Sequence, residues 1–268
     1  IDTITHELEA LGGAPSFFGH QRFGTTRPIT HEVGRLLVMG DVEAAVMCYI
    51  AKPFAEEPEE ARLAREHLWE AYVAGAHEQA LKHALHEYPT HLRYERAMLD
   101  CLISGGYEDA VRVLPKNLQH MLVHAFQSYL FNRFLSERIR RGVPLNEPQV
   151  GEWVRLAHGA ERVEKHNLSM ARRLARLKKA EVCLPLVGYD TDTLPEYAKR
   201  IMEEEGVEPS QFRLSTLSEL SSKGTIRPIA TSLPRGAVVE GKDVVFELVL
   251  PKGCYATSVL REYTKSSM

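Results

Sequence analysis

The run Phe17-Phe18-Gly19-His20-Gln21-Arg22-Phe23-Gly24 places three aromatic rings, two glycines and an arginine within eight residues. Its apolar positions follow neither the period of a helix nor that of a strand, so burial against a core does not account for them. The run reads as a loop shaped for contact. Glycine lets backbone approach a ligand closely, and an exposed phenylalanine face is a platform on which a nucleobase can stack. Continued through Thr25-Thr26, the glycine spacing imitates a phosphate-binding loop, but Thr25 stands where the phosphate-binding lysine must be, which excludes a nucleoside triphosphatase.

Before this loop, Ile4, Leu8 and Leu11 repeat at helical spacing and Gly12-Gly13 is a stop signal, giving a helix over residues 1–11. The chain starts at Ile1 and enters that helix at once, so it reads as the continuation of a longer polypeptide. After the loop, Thr30 is placed to cap a helix ending near Gly40, and Asp41 to cap one over 42–51. Pro58-Glu59-Glu60 opens a third, with proline and acids in the first turn where the helix dipole favours them. The pattern predicts helices at 76–88, 90–103 and 107–114, then a long one over 116–141 with Leu118, Leu122, Ala125 and Tyr129 as its apolar stripe. A helix over 169–180 sets Met170, Leu174 and Leu177 on one face and turns Arg172, Arg173, Arg176, Lys178 and Lys179 to solvent. Strands are expected mainly near the carboxyl end, at 226–231, 237–240 and 243–250, the last largely buried. A turn at Pro251-Lys252-Gly253 leads into a final helix over 255–265. The pattern is a helical block between two ends that lack enough strands to form a sheet alone.

The 268 residues suit one large domain or two smaller ones, with 44% hydrophobic and 26% charged residues, as in ordinary globular proteins. No apolar stretch is long enough to cross a bilayer and no basic-then-apolar leader opens the chain, so no membrane partner and a cytoplasmic location are expected. Cys48, Cys101, Cys183 and Cys254 form no CxxC pair, which argues against a zinc knuckle or redox motif and for small buried residues. Net charge is only −3, but its distribution is uneven: residues 54–110 hold twelve acidic against five basic residues, and residues 130–180 hold twelve basic against five acidic. The basic end of such a dipolar surface suits phosphates; solvated helical faces are the plain alternative.

Other patterns fail on their own terms. Asp190-Thr191-Asp192 begins like a calcium loop, yet Pro195 falls where the sharp-turn glycine belongs and Ile201 where the bidentate glutamate belongs. His83 and His86, with His77 nearby, sit among Lys82, Glu78 and Glu87 and read as a solvated polar face, so no metal is expected. Glu78-Gln79-Ala80-Leu81-Lys82 and Glu108-Asp109-Ala110-Val111-Arg112 faintly suggest a helical-repeat scaffold, but two copies do not bury the continuous core a solenoid needs.

Pro15-Ser16-Phe17-Phe18-Gly19-His20-Gln21-Arg22-Phe23-Gly24 resembles the signature of the TruD family of tRNA pseudouridine synthases. Three further stretches resemble family signatures in the family's order. They are His124-Ala125-Phe126-Gln127-Ser128-Tyr129-Leu130-Phe131-Asn132-Arg133, the turn Gly224-Thr225-Ile226-Arg227-Pro228, and the carboxyl-terminal run from Leu250-Pro251-Lys252-Gly253-Cys254-Tyr255 through Arg261-Glu262. The resemblance implies an α+β fold: a partial synthase catalytic domain, a mixed sheet with helices, formed by residues 1–40 and 224–268 and carrying a large, mostly helical insertion over 41–223.

The resemblance further implies isomerisation of uridine to pseudouridine in tRNA, at position thirteen of the D arm, with tRNA as partner and no cofactor; a monomer is expected. The alternative is a non-catalytic RNA-binding remnant of the family. By resemblance Phe18 stacks on the flipped uracil, with Gly19, Ser16 and Arg22 in the same substrate loop; Arg22 holds either a phosphate or a structural carboxylate. Arg172, Arg173, Arg176 and Lys179 are the expected RNA contacts. Gln127, Asn132 and Arg133 are expected to fix packing of the long helix, and Arg261 and Glu262 to pair with each other or with a loop. The family's nucleophilic aspartate lies in a Gly-x-Lys-Asp motif that no stretch of this sequence matches, so the catalytic residue is unassigned and the chain alone is expected to be inactive. Ser16 occupies a position where the family usually has asparagine, a longer side chain with more hydrogen-bonding atoms.

Overall fold

A computed structural model describes residues 1–265. In chain order the elements are α1 (Asp2–Leu11), β1 (Ala14–Pro15), α2 (Thr30–Met39), α3 (Val42–Ala51), α4 (Glu59–Val73), α5 (His77–Glu87), α6 (Arg93–Ser104), α7 (Tyr107–Arg112) and α8 (Lys116–Arg140). Then come β2 (Trp153–Leu156), β3 (Gly159–Arg162), α9 (Leu168–Arg176), β4 (Glu181–Leu186), α10 (Glu196–Glu205), β5 (Thr225–Pro228), β6 (Ala230–Thr231), β7 (Gly236–Glu240), β8 (Asp243–Glu247) and α11 (Ala256–Thr264). The fold is α+β. Its two compact units divide the chain at Gly19/His20, Ser128/Tyr129, Glu208/Pro209 and Lys223/Gly224, rather than at residues 40 and 223 alone.

The first unit (residues 1–19, 129–208 and from 224 on) is built on a four-stranded antiparallel sheet of order β3-β2-β4-β5. Three of its strands come from the stretch expected to be mostly helical. β2 and β3 are only four residues each. β4 contains Pro185, which normally argues against a central strand. Here the proline is tolerated for a geometric reason. Val182 accepts from the Ile229 amide on the β5 side, so by the alternation of the ladder the nitrogen of Pro185 faces the other side, where the β2 pairing ends at Cys183. Val154, Val163, Ala171 and Ala180 form the core beneath α9. The buried face of α9 is therefore Ala171 and Ala175, with Leu168 and Leu174 beside it, and not the expected stripe: Met170 and Leu177 are each 56% exposed.

The valine-rich run 243–250 is also not buried. β7 and β8 pair only with each other, and Val238, Val239, Val244, Val245 and Val249 are exposed. Deep in this unit, Glu152 is fully buried and accepts from Arg138 Nε (2.7 Å), Tyr197 Oη (2.8 Å) and the Gln149 amide (3.0 Å). Arg138 spends its remaining donors on the carbonyls of Val143, Pro144 and Glu147, which fixes the turn after α8.

The second unit (residues 20–128 and 209–223) is helical. α3 is its centre, with Val42, Ala45, Val46, Met47, Cys48, Ile50 and Ala51 all buried. Asp41 Oδ1 caps it by accepting from the Ala44 amide (2.9 Å). Its carboxyl-terminal carbonyls are held by side chains: Arg27 binds those of Tyr49 and Lys52, and Arg65 and Tyr88 bind that of Ile50. Glu57 and Glu95 neutralise the two buried guanidiniums. Thr30 is not the cap expected for α2; its hydroxyl donates to the Phe23 carbonyl (2.9 Å) and ties the aromatic loop to the helix start. α2 crosses α8 at Gly34, where a β-carbon would run into the Leu122 carbonyl oxygen. Of the four cysteines Cys48 and Cys183 are buried, whereas Cys101 and Cys254 are partly exposed, against the expectation for all four.

Glu152→Ala would leave the Arg138 charge buried without its carboxylate, so stability should fall by about 3–5 kcal/mol, while Tyr197→Phe, which removes one hydroxyl, should cost about 1–3 kcal/mol. Urea unfolding of the two variants checks the order; equal and small losses would contradict it.

Candidate functional site

The first half of the aromatic loop belongs to the sheet unit and is stitched down along one extended strand. Residues 225–228 pair with β4 on one side; past the bend at Ile229, β6 pairs with β1 and the Ile229 carbonyl accepts from the Ser16 amide (2.8 Å). Ser258 on α11 donates to the Phe17 carbonyl (3.0 Å). Asn132 on α8 grips Phe18 at both backbone groups, accepting from its amide (2.9 Å) and donating to its carbonyl (3.0 Å). This exchange imitates one rung of a β-ladder and fixes where the ring projects.

Phe18 is not an exposed platform. It is 7% exposed, against Phe131 (centroids 5.6 Å apart) and Tyr255 (5.9 Å), and the Arg227 guanidinium lies 4.1 Å from its ring centre. Arg227 donates to the carbonyl of Gly253 (2.8 Å), the carbonyl of Ser16 (3.2 Å) and the Ser16 hydroxyl (3.0 Å). Ser16 is buried, with Cys254 Sγ 3.9 Å from its hydroxyl. A planar cation on a phenylalanine ring, held by carbonyls that fix its orientation, is worth about 0.5–2 kcal/mol. Arg227 stands in a stretch quoted above only as a turn, and sequence reasoning gave it no role. The signal was the arginine of that turn.

Beyond Gly19 the loop enters the helical unit as a tight turn at His20–Arg22. Gly24 has φ +102°, and a β-carbon there would collide with the Arg27 carbonyl. Arg22 Nε donates to the Ser128 hydroxyl on α8 (3.1 Å), and that hydroxyl donates to the His124 carbonyl (2.7 Å). Phe23 packs edge-on against His31 (5.3 Å). Gln127 donates to the Ser222 hydroxyl (2.8 Å), and Arg133 binds Tyr129, Glu204 and Glu205, so both fix packing around α8. Glu262 pairs with Lys265 (3.7 Å).

The expected RNA-contact residues are only partly gathered. Arg172, Arg173 and Arg176 line an open cleft of about 660 Å³ along α9 together with Lys165, Ser169 and Leu177, whereas Lys179 lies beyond the helix end and outside the cleft lining. Arg172 is partly engaged, with Glu147 (3.3 Å) and the Pro148 carbonyl (3.4 Å). Among the described residues no group of three His, Cys, Asp or Glu side chains could hold a metal ion. No helix among them is long and apolar enough to cross a membrane.

A family profile described as tRNA pseudouridine synthase D (TruD) matches residues 1–263. The chain belongs to the TruD family. It is 40% identical over 286 aligned positions to a Methanosarcina mazei protein named as a probable tRNA pseudouridine synthase D, with 99% of this chain and 64% of the relative covered. An Archaeoglobus fulgidus protein of the same name is 41% identical over 266 positions, covering 96% and 62%. The crystal structure of a Methanosarcina mazei protein described as a tRNA pseudouridine synthase D (TruD) superposes with a TM-score of 0.90 at 38% identity, over 99% of this chain and 64% of that one. The chain thus spans under two thirds of the length of these TruD relatives.

Replacing Asn132 by leucine leaves the Phe18 amide and carbonyl without their partner, a loss of about 1–3 kcal/mol that should speed Phe18 amide exchange about tenfold or more. Hydrogen exchange at that amide reads the effect, and unchanged protection would contradict the grip.

Proposed function

We propose that the chain supplies the base-binding part of a tRNA pseudouridine synthase, which converts uridine to pseudouridine at position thirteen of the D arm. The observation that carries this is the convergence of all four family signatures on one ring: Ser16 and Phe18 from the first, Phe131 and Asn132 from the second, Arg227 from the third and Gly253 and Tyr255 from the fourth. The reaction is an isomerisation. The N1–C1′ bond breaks, the uracil turns, C5 bonds to C1′, C5 loses a proton and N1 gains one, so no redox partner is consumed.

The target uridine must leave its stack, at a cost of a few kcal/mol. In this reading the uracil takes the ring face that Arg227 now covers. Stacking returns about 1–3 kcal/mol, against about 0.5–2 kcal/mol for the guanidinium it displaces. The exchange is nearly balanced, so Arg227 keeps the ring ordered without blocking the base. Gly19 lets backbone approach, Ser16 anchors Arg227, Arg22 braces the turn that follows, and Arg172, Arg173, Arg176 and Lys179 contact phosphates. The aspartate nucleophile is not supplied by these 268 residues, which lack a Gly-x-Lys-Asp stretch, and the 268-residue chain by itself does not turn over. As a tRNA-modifying protein it would work in the cytoplasm, as a monomer and without a cofactor.

The test is a chimera in which residues 1–263 replace the matching stretch of the Methanosarcina mazei relative. Pseudouridine mapping on unmodified tRNA should find product with the chimera and none with the 268-residue chain alone. Phe18→Ala in the chimera should lower activity about five- to 150-fold with Phe18→Tyr largely tolerated, and glutamates at Arg173 and Arg176 should weaken tRNA binding and flatten its salt dependence. A folded chimera without product would contradict the proposal.

A further inference from the structure

His120, His124 and Ser128 lie at four-residue intervals along α8 and therefore on one face. The two imidazoles are stacked, with centroids 6.1 Å apart and planes 25° from parallel. Arg22 is laid against the same strip through its bond to Ser128 (3.1 Å), and both histidines are exposed. His20 is exposed on the same turn as Arg22. Three nitrogen-rich side chains thus meet on one surface, where stacked rings would repel each other once protonated unless an anion lies between or beside them. We propose that Arg22, His120 and His124 form a proton-linked clamp for a phosphate group of the bound RNA, a contact that rests on the RNA-binding reading above.

The surrounding charges favour an anion. Partial burial of its ring, and after it the neighbouring Arg22 and His120, hold the His124 pKa below the ordinary histidine value. Glu219 lies near His120 and is already bound by Arg112 Nε (3.0 Å). Arg112 is held in turn by Asp109 (3.7 Å). α2, packed on α8 at Gly34, carries Arg35 and His31, the latter turned onto Phe23. A phosphate placed on the strip reverses the repulsion and raises the His124 pKa. Binding then takes up a proton and strengthens as pH falls through the range where the bound His124 titrates. A merely solvated histidine pair would show neither effect.

Two measurements on the 268-residue chain test this. In the first, histidine ring resonances are titrated with pH, without and with inorganic phosphate as the probe. The pKa of His124 should rise when phosphate is present, and an unchanged value overturns the clamp whether or not the chain binds RNA. In the second, tRNA affinity is compared at pH 7.5 and 6.0. The wild type should bind about three- to tenfold more tightly at the lower pH, corresponding to uptake of up to about one proton. His120→Asn/His124→Asn should lose most of that gain. A tRNA affinity with the same pH response in the double variant as in the wild type overturns the site as an RNA contact. No tRNA binding at either pH, alongside an intact phosphate response, also overturns it as an RNA contact and locates the failure in the RNA-binding reading rather than in the anion chemistry of the strip.

Discussion

The guanidinium of Arg227 is the constraint on which the site depends. One side chain on β5 reaches the Gly253 carbonyl, both oxygens of Ser16 and the face of Phe18. Arginine suits this place because its donors radiate in one plane while its faces remain free to lie on a ring. Lysine would provide a point charge without the plane. The strand that carries Arg227 is itself fixed by β4, and its continuation pairs with β1 immediately before the loop, so sheet and loop share one backbone frame. The aromatic loop is therefore held by a rigid element although it has no regular structure of its own, which keeps its geometry precise.

Most helices were legible because their signals are local. The periodic apolar positions, the Asp41 cap and the positive-φ glycines at Gly12 and Gly40 act within a few residues and are realised in α1, α2 and α3. Three of the four strands of the central sheet were not legible in the same way. β2 and β3 are too short to establish a period, and Pro185 looks disqualifying until the register shows that its nitrogen faces the side where β2 has ended. The opposite error concerns 243–250, whose valines suggest burial by composition although their surroundings are decided by which strands come near. On α9 the spacing points to large apolar residues as the inner face, but the close approach to the sheet selects alanines.

The loop's chemistry was readable and its exposure was not. Aromatic residues without a period point to contact, yet no local rule reveals that a side chain 209 positions further along, Arg227, covers the ring of Phe18. Nor does sequence show that Asn132 holds Phe18 by the backbone, although both residues fall within the quoted signatures. The charge segregation was likewise visible, but the structure divides the basic residues by role. Arg138 is a buried tie and Arg133 binds α10, while Arg172, Arg173 and Arg176 line the open cleft along α9.

The most direct measurement is a double-mutant cycle joining Phe18→Leu and Arg227→Met, read by denaturant unfolding of the two single variants and the pair. If the guanidinium is bound to the ring as described, the two changes should couple by about 0.5–2 kcal/mol, the double variant losing less than the sum of the singles. Losses that add to within about 0.3 kcal/mol would mean that Arg227 does not hold the ring, and would contradict the account of the site.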